Sequence, residues 1–150
     1  MHKEITWTNK RFDELTPFEL YRILRLRSEV FVVEQNCVFL DMDDKDQLAH
    51  HLMGWSAGSL LAYTRLLPPG IVYDEPSIGR VVSSPQARRS GIGRLLMNQS
   101  IEQVYLLYDR QPIRIGAQLY LKKFYESFGF VQTGEIYDED GIPHIKMVLS

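Results

Sequence analysis

The sequence predicts a mixed α/β (α+β) fold, and three observations carry that prediction. Short runs rich in β-branched and aromatic residues alternate with stretches whose apolar residues recur at helical spacing. The turn pairs Ala57-Gly58 and Asp140-Gly141 each separate two strand-like runs and so mark antiparallel hairpins. Between them, the strand-like Ile78 to Ser83 leads through a glycine-containing loop into a long striped helix. With 150 residues, 45% of them hydrophobic, the chain can build one domain with a real core, spanning 1–150, and is too short for two.

Each element has its own local reason. Ile5-Thr6-Trp7 is a short strand. Thr16-Pro17-Phe18-Glu19 then combines an N-cap, a proline at the first helical position and an N3 glutamate, starting a helix whose stripe Leu20, Ile23, Leu24, Phe31 runs toward Val32. Arg27 falls on that stripe and requires a partner. Asn36 to Gln47 is acidic and irregular, a solvated loop with room for one helical turn. His51 to Trp55 and Ser59 to Leu67 form the first hairpin, and Pro68-Pro69-Gly70 breaks the chain. After the glycine loop a helix begins near Ile92, with Met97, Ile101, Val104 and Tyr108 on its apolar face and Pro112 marking its end. Ile113 to Ala117 is a strand, Leu119 to Phe128 a helix stopped by Gly129, and Val131 to Tyr137 and Ile142 to Leu149 the closing hairpin.

Composition narrows the function. A formal net charge of -2 argues against a general nucleic-acid binder, which needs a basic excess to displace counterions. Met1-His2-Lys3-Glu4 lacks the apolar core of a leader, and no apolar run reaches membrane-spanning length, so a cytoplasmic protein without a membrane partner is expected. The lone Cys37 excludes an internal disulfide and any multi-cysteine metal site. The His and Asp spacings match neither zinc nor calcium patterns, so no metal is expected.

The most informative stretch is Arg88-Arg89-Ser90-Gly91-Ile92-Gly93, followed by Arg94. A helix N-terminus leaves its first N–H groups unpaired and carries partial positive charge, so several donors can converge on one anion. Gly91 and Gly93 keep the approach open, and the three arginines add charge at the rim. The spacing fits neither a Walker A loop nor the dinucleotide fingerprint. Arg-x-x-Gly-x-Gly between a strand and a helix resembles the acetyl-CoA pyrophosphate loop of the GNAT superfamily of N-acyltransferases. Tyr125-Glu126-Ser127-Phe128-Gly129-Phe130 matches that family's Tyr-x-x-x-Gly-Phe, and the resemblance covers nearly the whole chain. Arg27 to Gln35, Gly116-Ala117-Gln118 and Asp140 to Ile145 narrow it to the ElaA-type branch.

The resemblance implies a mostly antiparallel twisted sheet with a splayed strand pair, flanked by helices. It implies acetyl-CoA as cosubstrate and the amine of a small molecule or peptide as acceptor, with direct attack in a ternary complex. Arg80 to Ser83 would supply a strand edge for the pantetheine arm, Val81 and Val82 foremost, and Gln118 joins the cofactor contacts. Tyr125 is the candidate general acid, since a phenol with a reference pKa of about 10 is protonated at neutral pH. Glu34 is the first candidate base, unless it pairs with Arg27; His144 and the pair His50-His51 are alternatives. The acidic loop would suit a cationic acceptor. Two other functions stay open: a non-catalytic acyl-CoA-binding or sensing module, and, from the Arg27 to Phe31 spacing, an acyl-homoserine-lactone synthase. The hairpin ending is compatible with a homodimer.

Overall fold

A computed structural model of the chain describes residues 4–150, so Met1-His2-Lys3, part of the stretch read as lacking a leader, lies outside it. The first strand, β1 (Thr6–Arg11), starts one residue after the expected Ile5 and outruns the expected Trp7, because it pairs with β2 (His50–Ser56) from Thr6 opposite Trp55 to Arg11 opposite His50. Cross-strand pairing carries Asn9, Lys10 and Arg11 into a strand that their own propensities would not make. α1 (Pro17–Arg27) starts on a reciprocal capping box: the Glu19 N–H donates to Thr16 Oγ1 at 3.1 Å, and the Thr16 N–H to Glu19 Oε1 at 2.8 Å.

Beyond Arg27 the helix widens into a π segment, Ser28–Glu34, with the Gln35 N–H bonded to the Val30 carbonyl at 3.1 Å. The buried face is accordingly Ile23, Leu26, Arg27 and Val30, whereas Leu24 and Phe31 of the expected stripe are half-buried. The loop that follows holds one 3-10 turn, Asp46–Leu48.

β2 and β3 (Ser59–Leu67) meet at Ala57-Gly58, both with positive φ, 49° and 80°, as a two-residue hairpin with a mirror-image turn requires. β4 (Ser77–Ser83) pairs with β3 and bulges where Arg80, at φ 50°, and Val81 face only Thr64. α2 (Ile92–Tyr108) buries Met97 and Val104 fully and ties Ser100 to Thr64 of β3 at 2.8 Å. It ends at Tyr108, ahead of Pro112, because Asp109 turns to φ 67°. After β5 (Ile113–Gln118) the single helix expected over 119–128 divides into a 3-10 turn and the short α3 (Lys122–Glu126). β6 (Val131–Glu139) and β7 (Ile142–Leu149) close the fold through Asp140 and Gly141.

The strands order as β1-β2-β3-β4 and β5-β7-β6, every pairing antiparallel. The halves meet where the Arg114 N–H donates to the Pro76 carbonyl at 3.1 Å, just ahead of β4 and β5. No ladder joins these two strands beyond that point, which is the splay. Alternation along β2 sends Leu52 to a core beneath α2 and Met53 to a second core beneath α1.

Candidate active site

The splay opens a cleft of about 410 Å³, lined by Gly79 to Val81 of β4, Ile115 to Gln118 of β5, Tyr125 of α3 and His144 of β7. On its β4 wall the ladder decides which backbone is free. The Ser84 N–H donates to the Leu61 carbonyl at 2.8 Å, so alternation gives Val82 to β3 as well and turns Ser83 to the open edge. Val82, expected among the backbone contacts, thus has its main chain engaged and its side chain in the α1 core. Ser83 and the cleft-lining Val81 are the edge that an extended arm can meet.

After β4 a 3-10 turn, Pro85–Ala87, leads to Arg88 and then to Arg89 at φ 66° and Gly91 at φ 81°. This places Gly91 as the N-cap of α2, with no side chain capping the first turn. A Cβ at Gly91 would meet nothing within 4 Å, so its glycine answers to backbone conformation, while one at Gly93 would only touch the Phe124 ring at 3.7 Å. Ser90 bonds the Ala87 carbonyl through its hydroxyl, tightening the loop. Ile92 is buried as the loop's anchor in the core. Uncapped N–H groups beside exposed Arg88 and Arg89 fit a pyrophosphate. Arg94 bends away, its Nη1 on Ser127 Oγ at 2.9 Å and its guanidinium over the Phe128 ring.

Tyr125 is buried at 5% exposure, edge-on to Phe124 and Phe130, and its hydroxyl has no hydrogen-bond partner among the described residues. Burial pushes its pKa well up, so the phenol holds its proton. Gln118 reaches Gln35 Oε1 through Nε2 at 3.4 Å across the cleft. His144 bonds the Ile142 carbonyl through Nδ1 at 2.7 Å, which makes Nε2 the proton-accepting nitrogen of the neutral ring; Glu139 Oε2 lies 3.3 Å from it.

Glu34 is placed differently from expectation. It does not line the cleft; both its oxygens take Arg88, at 2.8 and 2.5 Å, and that hydrogen bond draws its pKa down. Its partner is therefore Arg88 and not Arg27. His51 is fully buried between Tyr63 Oη at 2.6 Å and the Asp46 carbonyl at 2.8 Å, and burial holds its pKa low. His50 bonds Tyr108 Oη at 3.2 Å, away from the cleft. Neither is positioned as a base.

The acidic loop is not a solvated one. Asp41 and Asp46 are buried, and Arg27, with no exposed surface, bonds both at 2.8 Å. Arg65 takes Asp43 at 2.7 and 2.9 Å and Asp46 at 3.0 Å, and Arg80 takes Asp41 at 2.8 Å from the β4 bulge. Three arginines thus neutralise three of the loop's four aspartates, and only the exposed Asp44, next to Lys45, is left to attract a cationic acceptor. The signal available in the sequence was Arg27 on an apolar stripe, which demanded a partner without naming it.

No helix among the described residues is long and apolar enough to cross a membrane. A family model of the acetyltransferase (GNAT) domain matches residues 30–150. Protein ElaA of Escherichia coli K12 is 41% identical over 145 residues, covering 95% of each chain. The crystal structure of Escherichia coli ElaA superposes with a TM-score of 0.92 at 39% identity, over 98% of this chain and 100% of that one. An acyl-CoA N-acyltransferase from Pseudomonas aeruginosa gives 0.94 at 44% identity, over the same shares. Family and fold together support transfer of an acyl group from an acyl-CoA to an amine. The chain belongs to the GNAT acetyltransferase family, on the branch of its ElaA relatives.

Proposed function

We propose that the protein transfers an acetyl group from acetyl-CoA to a primary amine of a small molecule by direct attack within one ternary complex. The observation that carries this reading is the splayed cleft, in which a free strand edge, the phenol of buried Tyr125 and an imidazole whose Nε2 lies beside Glu139 line one space. Acetyl-CoA supplies an activated carbonyl carbon and a thiolate leaving group. Ser83 and Val81 hold the arm as an added strand would be held, and the first turn of α2 with Arg88 and Arg89 holds the pyrophosphate.

In the step itself a C–N bond forms as the C–S bond breaks. His144 Nε2 takes the proton that the amine gives up, and the Tyr125 hydroxyl donates to the departing sulfur. Because a phenol's pKa already exceeds that of a thiol near 8.5 and burial raises it further, Tyr125 shares its proton in a hydrogen bond more than it surrenders it. Its contribution is thus to stabilise charge on sulfur.

The test is amine-dependent release of free CoA thiol. Tyr125→Phe and His144→Gln should each lower kcat by roughly 10²-fold, with acetyl-CoA affinity retained. Unchanged kcat in both variants would reject the roles, and no thiol release from any amine by a protein that binds acetyl-CoA would favour a non-catalytic acyl-CoA-binding module.

A further inference from the structure

Tyr73, Tyr137 and Lys146 take no part in the step described above, yet they meet at the cleft. Tyr73 comes from the loop between β3 and β4, held to β5 by Arg114 on both oxygens of Glu75 at 3.0 Å. Lys146 of β7 lies 4.9 Å from the Tyr73 ring and 4.7 Å from the Tyr137 ring, and its Nζ donates to Tyr73 Oη at 3.4 Å. No carboxylate pairs with it among the described residues. Gly116 stands opposite Lys146 in the ladder, and a Cβ there would lie 3.0 Å from Tyr137 Oη and 3.1 Å from Tyr73 Oη. Both hydroxyls therefore converge over bare backbone, and both tyrosines line the cleft.

A hydroxyl beside an ammonium turns its lone pairs toward the cation and leaves its O–H to donate elsewhere. Two such donors backed by one unpaired cation suit an oxyanion, and charge-assisted bonds of this kind are among the stronger ones. His144 and Lys146 share one face of β7, two residues or about 7 Å apart, and the Tyr137 ring sits 5.8 Å from the His144 ring as well. The aspartates on the opposite wall are already matched by Arg65 and Arg80.

We propose that the acceptor is an amine that carries a carboxylate a short chain away, with the carboxylate held by Tyr73, Tyr137 and Lys146 over Gly116. This rests on His144 receiving the amine. The test is calorimetric titration of matched pairs into the protein with CoA present: β-alanine beside ethylamine, γ-aminobutyrate beside propylamine, and L-lysine beside cadaverine. At least one carboxylate-bearing member should bind about tenfold tighter than its partner. Tyr73→Phe with Tyr137→Phe, and separately Lys146→Met, should bring that ratio toward one, with acetyl-CoA affinity as the check on folding. No carboxylate preference in any pair, or a preference that survives both variants, overturns the anchor. Thiol release keeps the two proposals distinguishable: a carboxylate preference in binding without thiol release sinks acetyl transfer and leaves the anchor, whereas thiol release with no such preference sinks the anchor alone.

Discussion

Glu34 and His144 show how a carboxylate and an imidazole part company once their surroundings are known. Glu34 sits at the rim with Arg88 across both its oxygens, so its carboxylate is stabilised in the charged form and is a weaker base for it. His144 keeps one nitrogen on a carbonyl and has the other at the cleft beside the Glu139 carboxylate, 3.3 Å away, which favours taking up a proton there. Glu34→Gln should therefore leave kcat within about twofold, where His144→Gln lowers it by roughly 10²-fold; a steady-state comparison of the two variants with a common amine checks this. Tyr125 was picked out in the sequence because its motif, Tyr-x-x-x-Gly-Phe, is local, and it does line the cleft. The partner of Glu34 was not, because Arg88 lies 54 positions away and only the fold brings them together.

Among the elements, the glycine loop and the π segment mark the two ends of what local sequence can reveal. The loop announced itself: Gly91 stands at the left-handed N-cap position where a β-carbon is penalised, and α2 begins at Ile92 as its spacing required. Gly91→Ala should cost about 1–2 kcal/mol of stability and weaken acetyl-CoA binding, because relieving the strain displaces the N–H groups proposed to hold the pyrophosphate. Thermal unfolding and calorimetry read the two effects separately. An alanine that binds acetyl-CoA as tightly as glycine would contradict the assignment of this turn. The π segment gave no such signal. Val30, Val32 and Val33 lower the helix preference of Ser28–Glu34, and Arg27 at the junction is held by Asp41 and Asp46 of the loop that follows.

At the scale of the whole molecule, the two hairpins followed from the succession of strands and turns and the splay was expected from the resemblance, whereas the place of β7 between β5 and β6 is set by tertiary pairing. The network that braces it could not be read from the chain. Arg27 of α1, Arg65 of β3 and Arg80 of the β4 bulge are gathered by three aspartates of one loop, which the sequence presented only as an acidic stretch. Removing Asp46 would leave two buried guanidinium groups short of a partner, so Asp46→Ala should cost about 3–5 kcal/mol, measurable as a lower denaturant midpoint. Burial alone would raise the Asp46 pKa, but the hydrogen bonds and charges of Arg27 and Arg65 bring it below the usual range. A folded pKa below the unfolded value near 3.9 contributes stability that is complete above that value and lost as pH falls through the folded one. Thermal unfolding temperature should accordingly fall below about pH 4, less steeply in Asp46→Ala than in the parent.

The proposed chemistry depends on the cleft and the adjoining helix start receiving an acyl-CoA. Calorimetric titration of acetyl-CoA into the purified protein is the most direct test. One saturable site per chain with micromolar affinity, lost on combining Arg88→Ala with Gly91→Ala, is the predicted result. A folded parent protein that takes up no acetyl-CoA, or a double variant that binds it equally well, would contradict it.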